Sequence, residues 1–299
     1  MRYLLLGGSG FIGKHLTKSL LQEGHEVDVV DNCSTSTPVH NVNLYLEDIQ
    51  TFDGIEELIR KADVVYFLAG SVGVKRVVEN PYATLHNNLS LPMRIVPLVA
   101  KYNKKIIFSS TSEVYGNGPF SESNDASIGS PTNLRWGYAS AKLATEFLVA
   151  SCGVPYRILR FFNITGPGQL GDFGMVLPRF VQAAKDNTPI YVYGDGTQYR
   201  SFCHINDALD MMRQVESSPE GVYNIGNDEP VTILELAEIV KEQLRSSSEI
   251  ILKPLTDVYA KNSGDIHARI PDLTKLRNTI NYKVEHGLEA IIQDIYDQL

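Results

Sequence analysis

Residues 4–16 read LLLGGSGFIGKHL: three leucines, glycines at positions 7, 10 and 13, and an amphipathic run that begins at Phe11. An apolar run followed at once by G-x-x-G-x-x-G reads as a buried strand turning sharply into a helix. Gly7 allows the tight turn, Gly10 allows backbone to approach a ligand, and Gly13 lets the helix pack closely on the sheet. The amino end of that helix offers unpaired N–H groups, which suit a pyrophosphate. A second strand, expected over 27–30, ends in Asp31. A carboxylate there accepts from a ribose 2′-hydroxyl and repels a 2′-phosphate, so NAD is expected over NADP. Asp48, after a third strand, is placed either near the adenine or on the open surface.

Working outward, further strands are expected over 3–6, 44–46, 64–68, 106–108 and 156–160. Amphipathic helices are expected over 11–23, 81–101 and 138–151. Strands alternating with helices imply right-handed crossovers and a doubly wound parallel α/β sheet. Beyond residue 165 the elements shorten, punctuated by Pro178, Pro189, Gly194 and Gly196. The expected division is a dinucleotide-binding domain over 1–165 with a return segment at 203–226. A smaller substrate-binding domain over 166–202 and 227–299 completes it, with the ligand cleft between the two.

The chain has 299 residues, 43% hydrophobic and 21% charged, with a net charge of -8. An acidic balance argues against nucleic acid as the partner. Cys33, Cys152 and Cys203 have no C-x-x-C spacing, which points to a reducing compartment and excludes a disulfide framework. No apolar run approaches the ~18 residues of a membrane span, and MRYLLLGGSG is too short for a secretory leader. A cytoplasmic protein is expected. The seven histidines have no metal-ligand spacing, so no metal is implied.

A second stretch, FSSTSEVYG at 108–116, places four hydroxyl residues and an acid where the strand is expected to end. Further on, Tyr138 and Lys142 in YASAK are four apart and so share one helix face. An ammonium beside a phenol favours phenolate, and phenolate can take a proton from a sugar hydroxyl while hydride leaves for a nicotinamide. With 15 tyrosines in the chain, about 0.7 Y-x-x-x-K matches arise by chance, so the motif takes its meaning from context.

That context is the order GGSGFIG, VVYFLAG, FSSTSEVYG, YASAK, RFFNITGPG, GDGTQYRSF and GDIHARIPDLTKL. It resembles the extended short-chain dehydrogenases acting on nucleotide sugars, the NAD-dependent epimerases, dehydratases and decarboxylases, nearly end to end. The resemblance implies a Rossmann-type fold and a homodimer paired through the helices at 81–101 and 138–151. It implies a catalytic set of Thr111, Ser112, Glu113, Tyr138 and Lys142. The implied cofactor contacts are Gly7, Gly10, Phe11, Ile12, Gly13, Asp31, Asn32, Asp48, Ile49, Leu68, Ala69 and Gly70, with Tyr138 and Lys142. Asn163 would hold the sugar or diphosphate, Arg200 and Arg269 the diphosphate, and Tyr191 the base; without the resemblance, either arginine reads instead as a surface ion pair.

Within the resemblance, Thr-Ser-Glu at 111–113 matches UDP-glucuronate decarboxylases and GDP-mannose dehydratases, because a carboxylate is useful where a proton moves at carbon 5. Gly168 in GPGQ and the loop SPTNLRWGYASAK depart from the decarboxylases, and Gly168 leans toward 4-epimerases. The preferred expectation is UDP-glucuronate decarboxylation to UDP-xylose, then UDP-sugar 4-epimerisation, then 4,6-dehydration. A non-catalytic dinucleotide sensor is the reading from another class, and it leaves Tyr138, Lys142 and Arg200 together unexplained.

Overall fold

Side chains alternate between the two faces of a strand, so a strand that is apolar at every position is covered on both. In β1 (Arg2–Leu6), Tyr3 and Leu5 enter one core while Leu4 and Leu6 enter the other. In this computed structural model, which describes all residues except 74–76, 78, 170, 172–174 and 256–265, the same holds across a seven-stranded sheet. Its first members are β2 (Glu26–Val30), β3 (Asn43–Tyr45), β4 (Val64–Phe67), β5 (Lys105–Thr111) and β6 (Tyr156–Phe161). The order is β3-β2-β1-β4-β5-β6 with every pair parallel, and the seventh strand, Gly221–Ile225, lies against β6. The order reverses at β1 and β4, and the crevice beyond their carboxyl ends is where such sheets hold ligands.

Helices cover both faces. α1 (Phe11–Gln22) packs Leu16 and Leu20 on one. α2 (Ile55–Lys61), α3 (Pro81–Lys101) and α4 (Trp136–Ala150) pack Ile55, Ile95 and Val149 on the other. Each fully buried leucine or isoleucine stabilises this arrangement by about 1.5–3 kcal/mol. The helix α2 has no counterpart in the sequence reading. The strand expected to end at Phe108 continues through Ser109, Ser110 and Thr111. Hydroxyls do not stop it, because each finds a partner on a neighbouring element, as described below.

After β7 (Ile164–Thr165) the chain builds a second cluster. α5 (Val176–Lys185), β8 (Ile190–Tyr193), α7 (Ile233–Gln243) and α9 (Leu288–Gln298) share a core of Phe180, Val192, Leu236 and Ile292. Short strands knit it together. β9 (Tyr199–Arg200) lies between β12 (Val231–Thr232) and β14 (Ala268–Arg269), and β13 (Ile250–Lys253) pairs with β8. β10 (Cys203–His204) pairs with β7 and leads into α6 (Ile205–Glu216), which returns to the sheet face beside α1 before the seventh strand, β11. α8 (Thr274–Thr279) sends Leu276 into the same core. No helix of the described residues is long and apolar enough to cross a membrane.

Candidate active site

Backbone crowds the turn after β1 at two of its glycines. Gly7 has φ +84°, and a Cβ there would lie 2.6 Å from the Ala69 nitrogen; a Cβ on Gly13 would lie 2.6 Å from the Gly7 oxygen. Gly10 differs, since its Cβ would meet only the Gly7 oxygen, at 3.4 Å. Its outer side is open, and no side chain caps the amino end of α1 that it begins. The N–H groups beyond it, on Phe11, Ile12 and Gly13, start a helix whose positive end faces that opening. Leu68, Ala69 and Gly70 follow β4, and the first two wall the turn on the other side.

Asp31 follows β2, where its carboxylate accepts from Ser9 N at 2.9 Å and from Cys33 N at 2.8 Å. Two N–H groups thus fix its direction. Asn32 donates to Asp48 at 3.2 Å, so two residues singled out separately in the sequence meet beside this acid. Ile49, next to Asp48, is buried in the core under α3, and its carbonyl accepts from Arg94 at 2.9 Å. An open glycine, uncapped N–H groups and an oriented acid fit a dinucleotide diphosphate and its ribose.

At the end of β5 each hydroxyl has a separate task. The Ser109 hydroxyl donates to the Phe67 carbonyl at 3.0 Å and thereby ties β5 to β4. The Ser110 hydroxyl donates to Glu146 on α4. Thr111 accepts from Glu113 N at 3.3 Å and caps a 3-10 turn, Ser112–Tyr115, in which Ser112 is buried. Thr111 also faces Tyr138 and favours its ionised form.

Tyr138 and Lys142 project from α4 one turn apart. Lys142 Nζ donates to the Ser109 carbonyl at 2.7 Å and lies 6.0 Å from the Tyr138 ring centroid. A Cβ on Gly70 would lie 3.4 Å from Nζ and 2.6 Å from Asn88 Oδ1, so the missing side chain at Gly70 leaves room for both. The expectation that Lys142 lowers the Tyr138 pKa is not met in the free protein. Burial pushes the Tyr138 phenol up, helped by the Glu113 charge and opposed by Thr111 and Arg269. Burial also draws Lys142 down to about 7, against the pull of Glu146. Burial thus works against the charged form of each, and the groups nearby offset it only in part.

Glu113 and Arg269 meet at 3.3 Å, and both keep part of their side chains exposed. The other arm of Arg269 donates to Asn163 Oδ1 at 2.8 Å, and Asn163 Nδ2 donates to the Ser201 carbonyl at 2.8 Å. Asn163 holds φ +41°, so the chain turns directly after β6 to present it. Arg200 and Arg269 are register partners on β9 and β14. Arg200 is buried, with Nη1 donating to the Tyr199 and Ile266 carbonyls at 2.7 and 2.8 Å. Tyr191 lies on β8 with the Lys253 ammonium 3.8 Å from its ring centroid, and among the described residues it joins none of these hydrogen bonds.

Three participants escaped the sequence reading. Asn88 on α3 donates to the Ser71 and Thr84 carbonyls at 2.9 and 2.8 Å beside Gly70. Glu146 and Arg160 form a buried pair behind Lys142. Glu146 left a usable signal, since it follows Lys142 at i+4 on an otherwise apolar helix face.

Residues 3–226 match the NAD dependent epimerase/dehydratase family. The chain is 36% identical to the UDP-N-acetyl-alpha-D-glucosaminuronate decarboxylase of Bacillus cytotoxicus, over 98% of this chain and 97% of that one. It is 31% identical to UDP-glucuronic acid decarboxylase 1 of Arabidopsis thaliana, over 100% of this chain and 71% of that one. Among solved structures it superposes on the UDP-glucose 4-epimerase of Thermotoga maritima with a TM-score of 0.89 at 26% identity, covering 100% and 98% of the two chains.

Proposed function

The chain belongs to the NAD dependent epimerase/dehydratase family, and from that premise we propose that it decarboxylates a UDP-linked hexuronate by way of a transient ketone at carbon 4. NAD, when bound over the glycine turn, supplies the hydride acceptor and later returns the hydride. Tyr138 takes the proton from the carbon 4 hydroxyl, with Thr111 beside it and Lys142 as the cation that favours phenolate. The ketone is β to the carboxylate. The bond from carbon 5 to carbon 6 then breaks, carbon dioxide leaves, and the electron pair passes into an enolate. Glu113 once protonated, or water that its carboxylate orders, delivers a proton to carbon 5, and Tyr138 gives its own proton back to the carbon 4 oxygen as the hydride returns.

The observation that carries this reading is the ion pair of Glu113 with Arg269, whose charges both act on Tyr138. A bare 4-epimerisation needs no acid at carbon 5, whereas decarboxylation needs a proton donor there and a cation to orient a carboxylate. In this reading Arg269 serves the sugar, Asn163 steadies it, and the diphosphate is left to Arg200, with Tyr191 toward the base. The sugar nucleotide would lie between the sheet, residues 1–165 and 203–226, and the second unit, 166–202 and 227–299. Gly168 supports the 4-epimerase as the second reading.

The relatives differ at carbon 2, one named for the 2-acetamido sugar and the other for the plain glucuronate. Incubation with UDP-glucuronate and with its 2-acetamido counterpart, followed by product mass, tests the proposal. Loss of about 44 mass units supports it, and an unchanged mass with an altered sugar epimer favours the alternative. A homodimer in the cytoplasm completes the proposal. Leu89, Met93 and Phe147 stand exposed on α3 and α4, an apolar face that a second copy would cover. Light scattering that reads a monomer at micromolar concentration would remove that part.

A further inference from the structure

Lys142 is a cation in a poor place for one. It is 3% exposed, and its Nζ has the Ser109 carbonyl at 2.7 Å and the Phe108 ring at 4.8 Å from the centroid. A carbonyl and an aromatic face replace little of the hydration an ammonium loses. One turn along α4 stands Glu146, 5% exposed. Its carboxylate is held from two sides. Ser110 donates to Oε1, while Arg160 donates from Nε to Oε1 at 3.0 Å and from Nη2 to Oε2 at 2.6 Å. Consecutive residues of β5 thus serve the two helix groups, the Ser109 carbonyl taking Lys142 and the Ser110 hydroxyl taking Glu146.

We propose that Glu146, fixed by Arg160 and Ser110, is the positioning residue that keeps Lys142 an ammonium beside Tyr138. The inference rests on Tyr138 and Lys142 being the acid–base pair proposed above. The groups facing this cluster come from every neighbouring element: Arg160 from β6, Tyr115 from the 3-10 turn with its ring centroid 4.5 Å from that guanidinium, Asn88 from α3, and Tyr138 from α4 itself. Among the described residues Glu146 is the carboxylate that acts on Lys142, and it acts to retain the proton that burial tends to expel. A clamp of α4 onto β6 would explain the two-point ion pair alone, but it gives no reason for a carboxylate one helical turn from Lys142.

The test is a titration of Lys142 by NMR in the full chain labelled at lysine Cε, with and without added NAD. The Lys142 resonance is the one that disappears in Lys142→Met. In Glu146→Gln its midpoint falls by about one unit, a tenfold change in the ionisation constant, and the alkaline limb of turnover moves the same way. Because Glu146→Gln strands the Arg160 charge, the double variant Glu146→Gln with Arg160→Met provides the same reading in a cluster relieved of both charges. Glu146→Asp recovers part of the shift. Unmoved midpoints in both Glu146→Gln backgrounds, with turnover lowered equally at every pH, would overturn the proposal and leave a structural clamp. The titration uses no nucleotide sugar, so it judges Glu146 whatever the substrate proves to be. Full turnover by Lys142→Met would overturn the acid–base assignment beneath it.

Discussion

Lys142, Glu146 and Arg160 are buried and carried by α4 and β6, whereas Glu113, Asn163 and Arg269 are half-buried and carried by strand ends and a 3-10 turn. The first network has lost its water and is locked by a two-point ion pair. The second keeps solvent access and joins the sheet to the second cluster through single contacts. Rigid elements hold groups to fractions of an ångström, and loop-borne groups can change between relatives without disturbing a core. The buried network therefore suits the oxidation step common to decarboxylases and epimerases, and the half-buried one suits the step that separates them.

The largest expected effect is at Tyr138, the half-buried phenol one turn from Lys142. Tyr138→Phe should lower turnover by about 10⁴-fold and give no absorbance near ~340 nm with UDP-glucuronate, because oxidation stalls for want of a proton acceptor. Glu113→Gln should behave differently. Oxidation proceeds, the later proton step slows by about 10²–10⁴-fold, and the ~340 nm signal accumulates. Wild-type turnover in Glu113→Gln would reduce Glu113 to a residue of the turn. Stopped-flow absorbance with both variants measures the two effects side by side.

Stability sharpens the contrast further. The folded pKa of Lys142, about 7, lies below its ordinary 10.5. Between those values the unfolded chain binds more protons, so this group's contribution to stability rises with pH across the window and its full cost falls below pH 7. Lys142→Met should then be more stable than the parent by about 2 kcal/mol at neutral pH while losing activity, with the gain shrinking toward pH 10. Denaturant melts at several pH values check this, and a gain that does not vary with pH would contradict it. The smallest effect concerns Asp31. NAD should bind at least about tenfold tighter than NADP, and Asp31→Ala should narrow the gap. Calorimetry showing equal affinities in the parent would refute the role given to that acid.

The buried half of the fold was legible because parallel strands covered on both faces read as continuous apolar runs, and β1, β2, β4 and β6 fall within a residue or two of their expected limits. The end of β5 was misread. Ser109, Ser110 and Thr111 look like turn residues in isolation, and only the neighbouring Phe67 carbonyl, Glu146 and Tyr138 show why a strand carries them. Pairings such as Arg200 beside Arg269 join residues 69 positions apart across two short strands, and no local pattern announces them. Arg160 was invisible for a related reason, and Glu146 offered only its spacing from Lys142. A buried charge is betrayed by its partner, and that partner lies on another element.

The fate of carbon 6 tests the central claim most directly. UDP-glucuronate isotopically labelled at carbon 6, incubated with the parent enzyme and followed by NMR, should release the label as carbon dioxide and bicarbonate while a pentose nucleotide accumulates, with the 2-acetamido counterpart run in parallel. Retention of the label in an epimerised hexuronate, with no release from either substrate, would contradict decarboxylation and leave the chain a 4-epimerase.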